Sequence, residues 1–199
     1  MISVAERLFG ASGRREYQRG RVTAHFTAAQ APALGNKPLR RGVKTRLKPG
    51  DDIAQFRTHR PILTAGAWPE WRDGSGNPVP PDFPAGDENG FDARGRMALA
   101  SIYHYTTRSL ADFVAKSARG DVVFPNRRLG ARYWRTRNAN AVHERALVTW
   151  PTGAQTQLNE LLSDPVLGPL HEAACATHEA KIAALRDDPA YADLWALAD

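Results

Sequence analysis

Residues 101–120, SIYHYTTRSLADFVAKSARG, read as a strand that runs directly into a helix, and that junction decides the fold class. Ser101 to Tyr105 alternates, placing Ile102 and His104 on one face and Tyr103 and Tyr105 on the other. Ser109 is a natural helix cap. Asp112, three residues on, closes a capping box, and Leu110, Phe113 and Val114 form an apolar stripe. Asp112 stands four residues before Lys116, the spacing of a helical ion pair, and Gly120 sits where a C-terminal cap is wanted. His104 therefore ends a strand just before a helix N-terminus, a place that favours anions because unpaired amides and the helix dipole point there.

Upstream, residues 1–60 read as short strands at Met1 to Val4, Arg21 to Phe26, Val43 to Leu47 and Ile53 to Phe56, separated by Gly, Pro and Asn. Residues 68–96 form a long Pro/Gly-rich loop whose Trp68, Trp71 and Phe83 argue for order rather than a free excursion. Downstream, Arg127, Arg128, Arg132, Arg135, Arg137 and Arg145 interleave with Tyr133 and Trp134. Such a mixture suits a phosphate backbone with stacked bases, or a sugar diphosphate. Residues 151–199 are helical. Asp164 before Pro165 and Asp188 before Pro189 cap successive helices, and Val166, Leu167, Leu170, Ala173, Ala174, Ile182 and Leu185 supply a stripe of helical period. The expected architecture is α/β, with a mixed sheet and the long loop in 1–150 and a helical region in 151–199.

The chain has 199 residues, about one domain, and its one cysteine excludes a disulfide framework. No run of about 18 apolar residues occurs, so no transmembrane segment is expected and a cytoplasmic location is the default. A net charge of +6 conceals an asymmetry: residues 1–150 hold 25 Lys/Arg against 13 Asp/Glu, and residues 151–199 hold 2 against 8. The basic part should attract anions: a nucleotide sugar, an acidic glycan, nucleic acid or anionic lipid.

Several segments together carry a family resemblance: MISVAERLFG at 1–10, RGRVTAHFT at 19–27, GVKTRLKP at 42–49, FRTHRP at 56–61, WRDGSG at 71–76, the 101–120 run, ARYWRTRNANAVHERAL at 131–147, and the tail from 161. In order and spacing they resemble the C-terminal half of bacterial family 2 glycosyltransferases. The resemblance implies a partial GT-A-like sheet and transfer of a sugar from a nucleotide-sugar donor to a glycan or lipid acceptor in polysaccharide synthesis. It also implies a divalent metal, Mn or Mg, held by an Asp-x-Asp element that would lie just upstream of the strand at Met1 to Val4. This sequence contains no Asp-x-Asp. The expectation is therefore a chain that lacks the nucleotide-binding half, is weak or inactive alone, and depends on another chain for the missing half.

The resemblance assigns His104 as a metal or diphosphate ligand. Arg108, Lys116 and Arg119 follow it as substrate-binding cations, with His59, Arg60, Trp71 and Trp134 as further substrate contacts. Glu144, Asp73 and Glu88 are the carboxylates available as the base that takes the acceptor hydroxyl proton. His171 and His178 share a helix face but lack partners for a metal site. The alternative reading is a basic nucleic-acid-binding or non-catalytic scaffold module.

Overall fold

The computed structural model describes residues 1–32, 39–122, 124 and 127–197. In chain order the elements are β1 (Ile2–Phe9), α1 (Val22–His25), β2 (Ala28–Ala29), β3 (Arg40–Arg46), β4 (Ile53–Gln55), β5 (Ile62–Leu63), β6 (Arg72–Asp73), α2 (Asp82–Ala85) and β7 (Gly90–Asp92). There follow β8 (Ile102–Tyr105), α3 (Leu110–Arg119), α4 (Ala131–Arg137), β9 (Val142–His143), α5 (Thr152–Ser163), α6 (Leu167–Arg186), a 3-10 turn at Pro189–Tyr191 and α7 (Ala192–Trp195). They fall into two compact units, Met1–Arg7 with Ala31–His104, and Leu8–Gln30 with Tyr105–Asp199. Helices and a largely antiparallel sheet thus share the chain, in keeping with the α/β class. The charge boundary at residue 150 is a change of composition, whereas each packing unit is discontinuous in sequence.

In the first unit β1 lies antiparallel to β3, with Ile2 opposite Arg46 and Ala5 opposite Val43, and parallel to β6. The far side of β3 pairs with β7, and β8 pairs with β1. β4 and β5 form a separate antiparallel ribbon. The 68–96 segment is ordered because its aromatics complete this unit's core. Trp71, Phe83 and Phe91 are buried with Ala5 and Val43. Phe83 meets Trp71 at 5.2 Å and Phe91 at 5.0 Å, both edge to face, as ring quadrupoles favour. Burying such a ring is worth roughly 3 kcal/mol, enough to matter in a segment whose Pro and Gly supply no ladder of their own. At Gly90 the strands approach so closely that an added Cβ would lie 1.6 Å from the Arg41 carbonyl oxygen.

In the second unit α3 is central. Leu110, Phe113 and Val114 pack with Trp134 and Leu194, while Ala111 and Ala115 pack against Ile182 of α6. The Ser109–Asp112 capping box forms as expected, and Gly120 takes a positive φ of 87°. The expected Asp112–Lys116 pair does not form. Asp112 instead accepts from Ser109 and pairs with His178 at 3.0 Å, while Lys116 Nζ donates to the Thr106 carbonyl at 2.8 Å and to the Tyr133 hydroxyl at 3.0 Å.

Arg21 to Phe26, read above as a strand, is a single helical turn, with Phe26 N–H donating to the Val22 carbonyl. Pairing with β1 begins only at Ala29, opposite Phe9. The preceding residues lack a ladder partner and instead lie against Trp150, which donates to Thr23 and carries Arg21 over its ring. The tail is helical, with Asp164 accepting from the Val166 and Leu167 amides and Asp188 from Ala190. Its apolar stripe is buried only at the C-terminal end: Ile182 is in the core, whereas Val166, Leu167 and Leu170 are exposed. Among the described residues no helix is long and apolar enough to cross a membrane.

Candidate functional site

Two polar constellations stand out, one in each unit. In the first, His104 at the end of β8 meets Glu6 of β1, with Nδ1 to Oε2 at 2.9 Å. Glu6 is only 5% exposed, and the hydrogen bond from His104 holds its carboxyl below the ordinary range. Burial opposes that shift, and the charges of His104, His59 and Lys44 assist it. An ionised carboxylate can only accept, so Nδ1 is the donor, and in the neutral ring Nε2 carries the free lone pair. The His104 side chain is 39% exposed, so Nε2 belongs to a group that a ligand can reach. His59, between β4 and β5, is fixed against β3, its Nδ1 donating to the Val43 carbonyl at 3.0 Å. Two histidines chosen from sequence thus gather around a buried glutamate that sequence reading passed over. The available signal was a lone carboxylate inside the apolar run of β1.

In the second unit a cleft of about 560 Å³ is lined by α3 and α6 and by the turn before α3. Arg108, Lys116 and Arg119 meet there with Lys181. Arg108 reaches this position through a left-handed backbone, with φ of 54°, a conformation costing a non-glycine residue roughly 1 kcal/mol. Asp112 is the one carboxylate among the lining residues; its oxygens are engaged by Ser109 and His178, and Arg108 lies at ion-pair distance, 4.0 Å, from Oδ1. Thr106 and Thr107 also line the cleft, and each has a buried Oγ1 without a hydrogen-bond partner among the described residues. Net positive charge in a concave, partly apolar setting is a combination that favours an anion over a cation.

The other candidates take different places. Trp71 is core, with Nε1 donating to Ser3 Oγ at 2.9 Å, and Trp134 is 1% exposed beside Phe113; neither side chain is placed to contact a substrate. Arg60 is buried. Its guanidinium donates to the carbonyls of Phe83, Pro84 and Gly86 and lies over the Trp71 and Phe83 rings, and burial lowers its pKa despite Asp87 and Glu88. Asp73 has a fully buried side chain that accepts from the Ser75 and Asn77 amides and from Arg96, so it organises its turn and has no access to an acceptor hydroxyl. Glu144 follows β9, is half-buried, and accepts from the Ala146 amide; it does not line the basic cleft. Within the Arg-rich stretch, Arg127 pairs with Asp121 and covers Phe124, Arg128 pairs with Asp193 and covers Tyr191, and Arg137 lies over Tyr133. These arginines serve packing within the chain.

A structural or catalytic zinc site takes three or four protein ligands, whereas a magnesium-type site can be completed by one or two carboxylates with substrate phosphates and water. His104 with Glu6 behind it has the form of one oriented ligand. Among the described residues there is no group of three or more His, Cys, Asp or Glu side chains placed to hold a metal ion. No protein-family model, curated protein or solved structure matches the chain.

Proposed function

We propose that the chain takes part in sugar transfer from a nucleotide-sugar donor to a glycan or lipid acceptor, as family 2 glycosyltransferases do, with the donor diphosphate held in the basic cleft of α3 and α6. The supporting observation is that Arg108, Lys116 and Arg119 meet Lys181 there, opposite a carboxylate already engaged. Negative charge grows on the departing diphosphate as the anomeric bond breaks, and cations fixed in advance lower that barrier. On this reading the β7, β3, β1 sheet of the first unit, with β6 and β8, is the acceptor-side edge of a GT-A fold, and the protein acts in the cytoplasm in polysaccharide synthesis. The resemblance assigns His104 to the metal or diphosphate site, but His104 is not among the residues lining this cleft. None of the three candidate bases lines the cleft, and no Asp-x-Asp is present. Turnover by these residues alone is therefore weak or absent, and the nucleotide-binding residues come from outside them.

Isothermal titration with UDP, GDP and UDP-glucose, with and without Mn, tests the reading. One nucleotide diphosphate should bind, and Arg108→Ala and Arg119→Ala should each weaken it about tenfold, the loss of one charge-assisted hydrogen bond. Lys116 is a poorer probe because it also holds Thr106 and Tyr133. Binding indifferent to both variants would overturn the assignment. Preference for single-stranded RNA with a steep salt dependence would replace it with the nucleic-acid reading.

A further inference from the structure

The aromatics of the 68–96 segment divide sharply: Trp71, Phe83 and Phe91 are buried, while Trp68 is 64% exposed. Trp68 forms a wall of a second cleft, of about 410 Å³ and wholly within the first unit, lined also by Arg60, Ile62, Leu63, Thr64 and Asp87. We propose that this cleft binds a neutral pyranose oligosaccharide, the acceptor glycan of the transfer reaction.

The chemistry of the lining selects that class. The C–H face of a pyranose carries small positive partial charges that match the negative face of an indole, and an exposed indole beside a cleft offers such a platform. Hydroxyls of a stacked sugar need acceptors. The Asp87 carboxylate makes no hydrogen bond or ion pair to the other described residues, so its oxygens are open to two or more hydroxyls. The local field is balanced, because the Arg60 guanidinium has Asp87 and Glu88 as opposing neighbours and Arg57 as a like-charged one. A phosphorylated ligand would meet those carboxylates, and an ammonium would meet Arg60; an uncharged polyhydroxylated ligand meets neither penalty. The volume lies at the lower end of the range for small-ligand pockets, which suits one or two sugar rings. Arg60 itself is held in place, since three of its five N–H donors are used on the Phe83, Pro84 and Gly86 carbonyls, so the floor of the cleft is set before a ligand arrives.

Naming the ligand an acceptor rests on the transferase reading; the binding of a saccharide does not. The test is saturation-transfer NMR and titration calorimetry on the full chain with cellotetraose, maltotetraose, laminaritetraose, mannotetraose and chitotetraose. At least one should bind and shift the Trp68 indole N–H resonance. Trp68→Ala should weaken it at least tenfold, Asp87→Asn about threefold, and Trp68→Phe should restore part of the loss. Trp68 is largely exposed, so the variants should keep the wild-type melting curve, and nucleotide affinity should not change. Failure of the whole panel to bind, equal binding by Trp68→Ala, or a Trp68 resonance that moves with UDP and not with saccharide would overturn the proposal. Saccharide binding at Trp68 in a chain that binds no nucleotide would uphold this site and sink the transferase reading.

Discussion

Removing the Asp112 carboxylate should destabilise the second unit by about 2–4 kcal/mol, a sum of two local losses. Ser109 is fully buried, and its hydroxyl donates to Asp112 Oδ2 at 2.7 Å; without that acceptor the capping side loses about 1 kcal/mol or more. The second loss is the bond from His178 to Oδ1, at 3.0 Å. Hydrogen bonds to charged groups contribute about 1.5–3 kcal/mol, and the lower half applies because His178 is one-third exposed and solvent screens it. The assay is urea unfolding of Asp112→Ala, His178→Ala and the double variant, reading the midpoint at constant m-value. The cycle should give a coupling of about 1 kcal/mol or more, because the two side chains touch. A single-variant loss below about 0.5 kcal/mol, or strict additivity in the cycle, would refute the view that Asp112 ties α6 to α3.

Three further outcomes are expected. Gly90→Ala should cost about 3 kcal/mol or more in urea unfolding, since its Cβ would collide with the Arg41 backbone, while Gly153→Ala, with open space on an exposed helix, should gain about 0.5–1 kcal/mol. Glu6 has a folded pKa below its ordinary value, so its stabilising contribution is present above about pH 4.3 and disappears as pH falls through the lowered folded value. The stability gap between wild type and Glu6→Gln should therefore shrink between pH 6 and pH 3; a gap independent of pH would show that Glu6 is not ionised in the fold.

Local signals were read from sequence with success where the physics is local. The Ser109–Asp112 box, the α3 stripe and the Asp188 cap each depend on residues within one or two turns, whereas α6 begins at Leu167 rather than at Pro165, with Asp164 accepting from the amides that precede and open it. Spacing alone failed for Asp112 and Lys116, because each found a stronger partner from another element. Val22, Thr23 and Phe26 have strand propensity, yet no neighbouring strand reaches them and Trp150 holds the turn. Among site residues, the gathering of Arg108, Lys116 and Arg119 was legible because all three sit on or beside one helix. Glu6 was not, since its partner lies 98 residues away. Nor does sequence reveal which tryptophans are core: Trp68 and Trp71 stand three residues apart in the same loop, yet one is solvent-facing and the other bonds to β1.

The order of the strands along the chain also imposes a timetable. β1 precedes every strand it pairs with, and its Ser3 waits for Trp71, 68 residues later, before that contact can form. At roughly 5–20 residues per second of synthesis, β1 spends several seconds with open hydrogen-bonding edges, first until β3 is made and then until β6 is. During that interval β1 is open to wrong strand pairing, and the closing of the tryptophan loop onto Ser3 comes after β3 has been made.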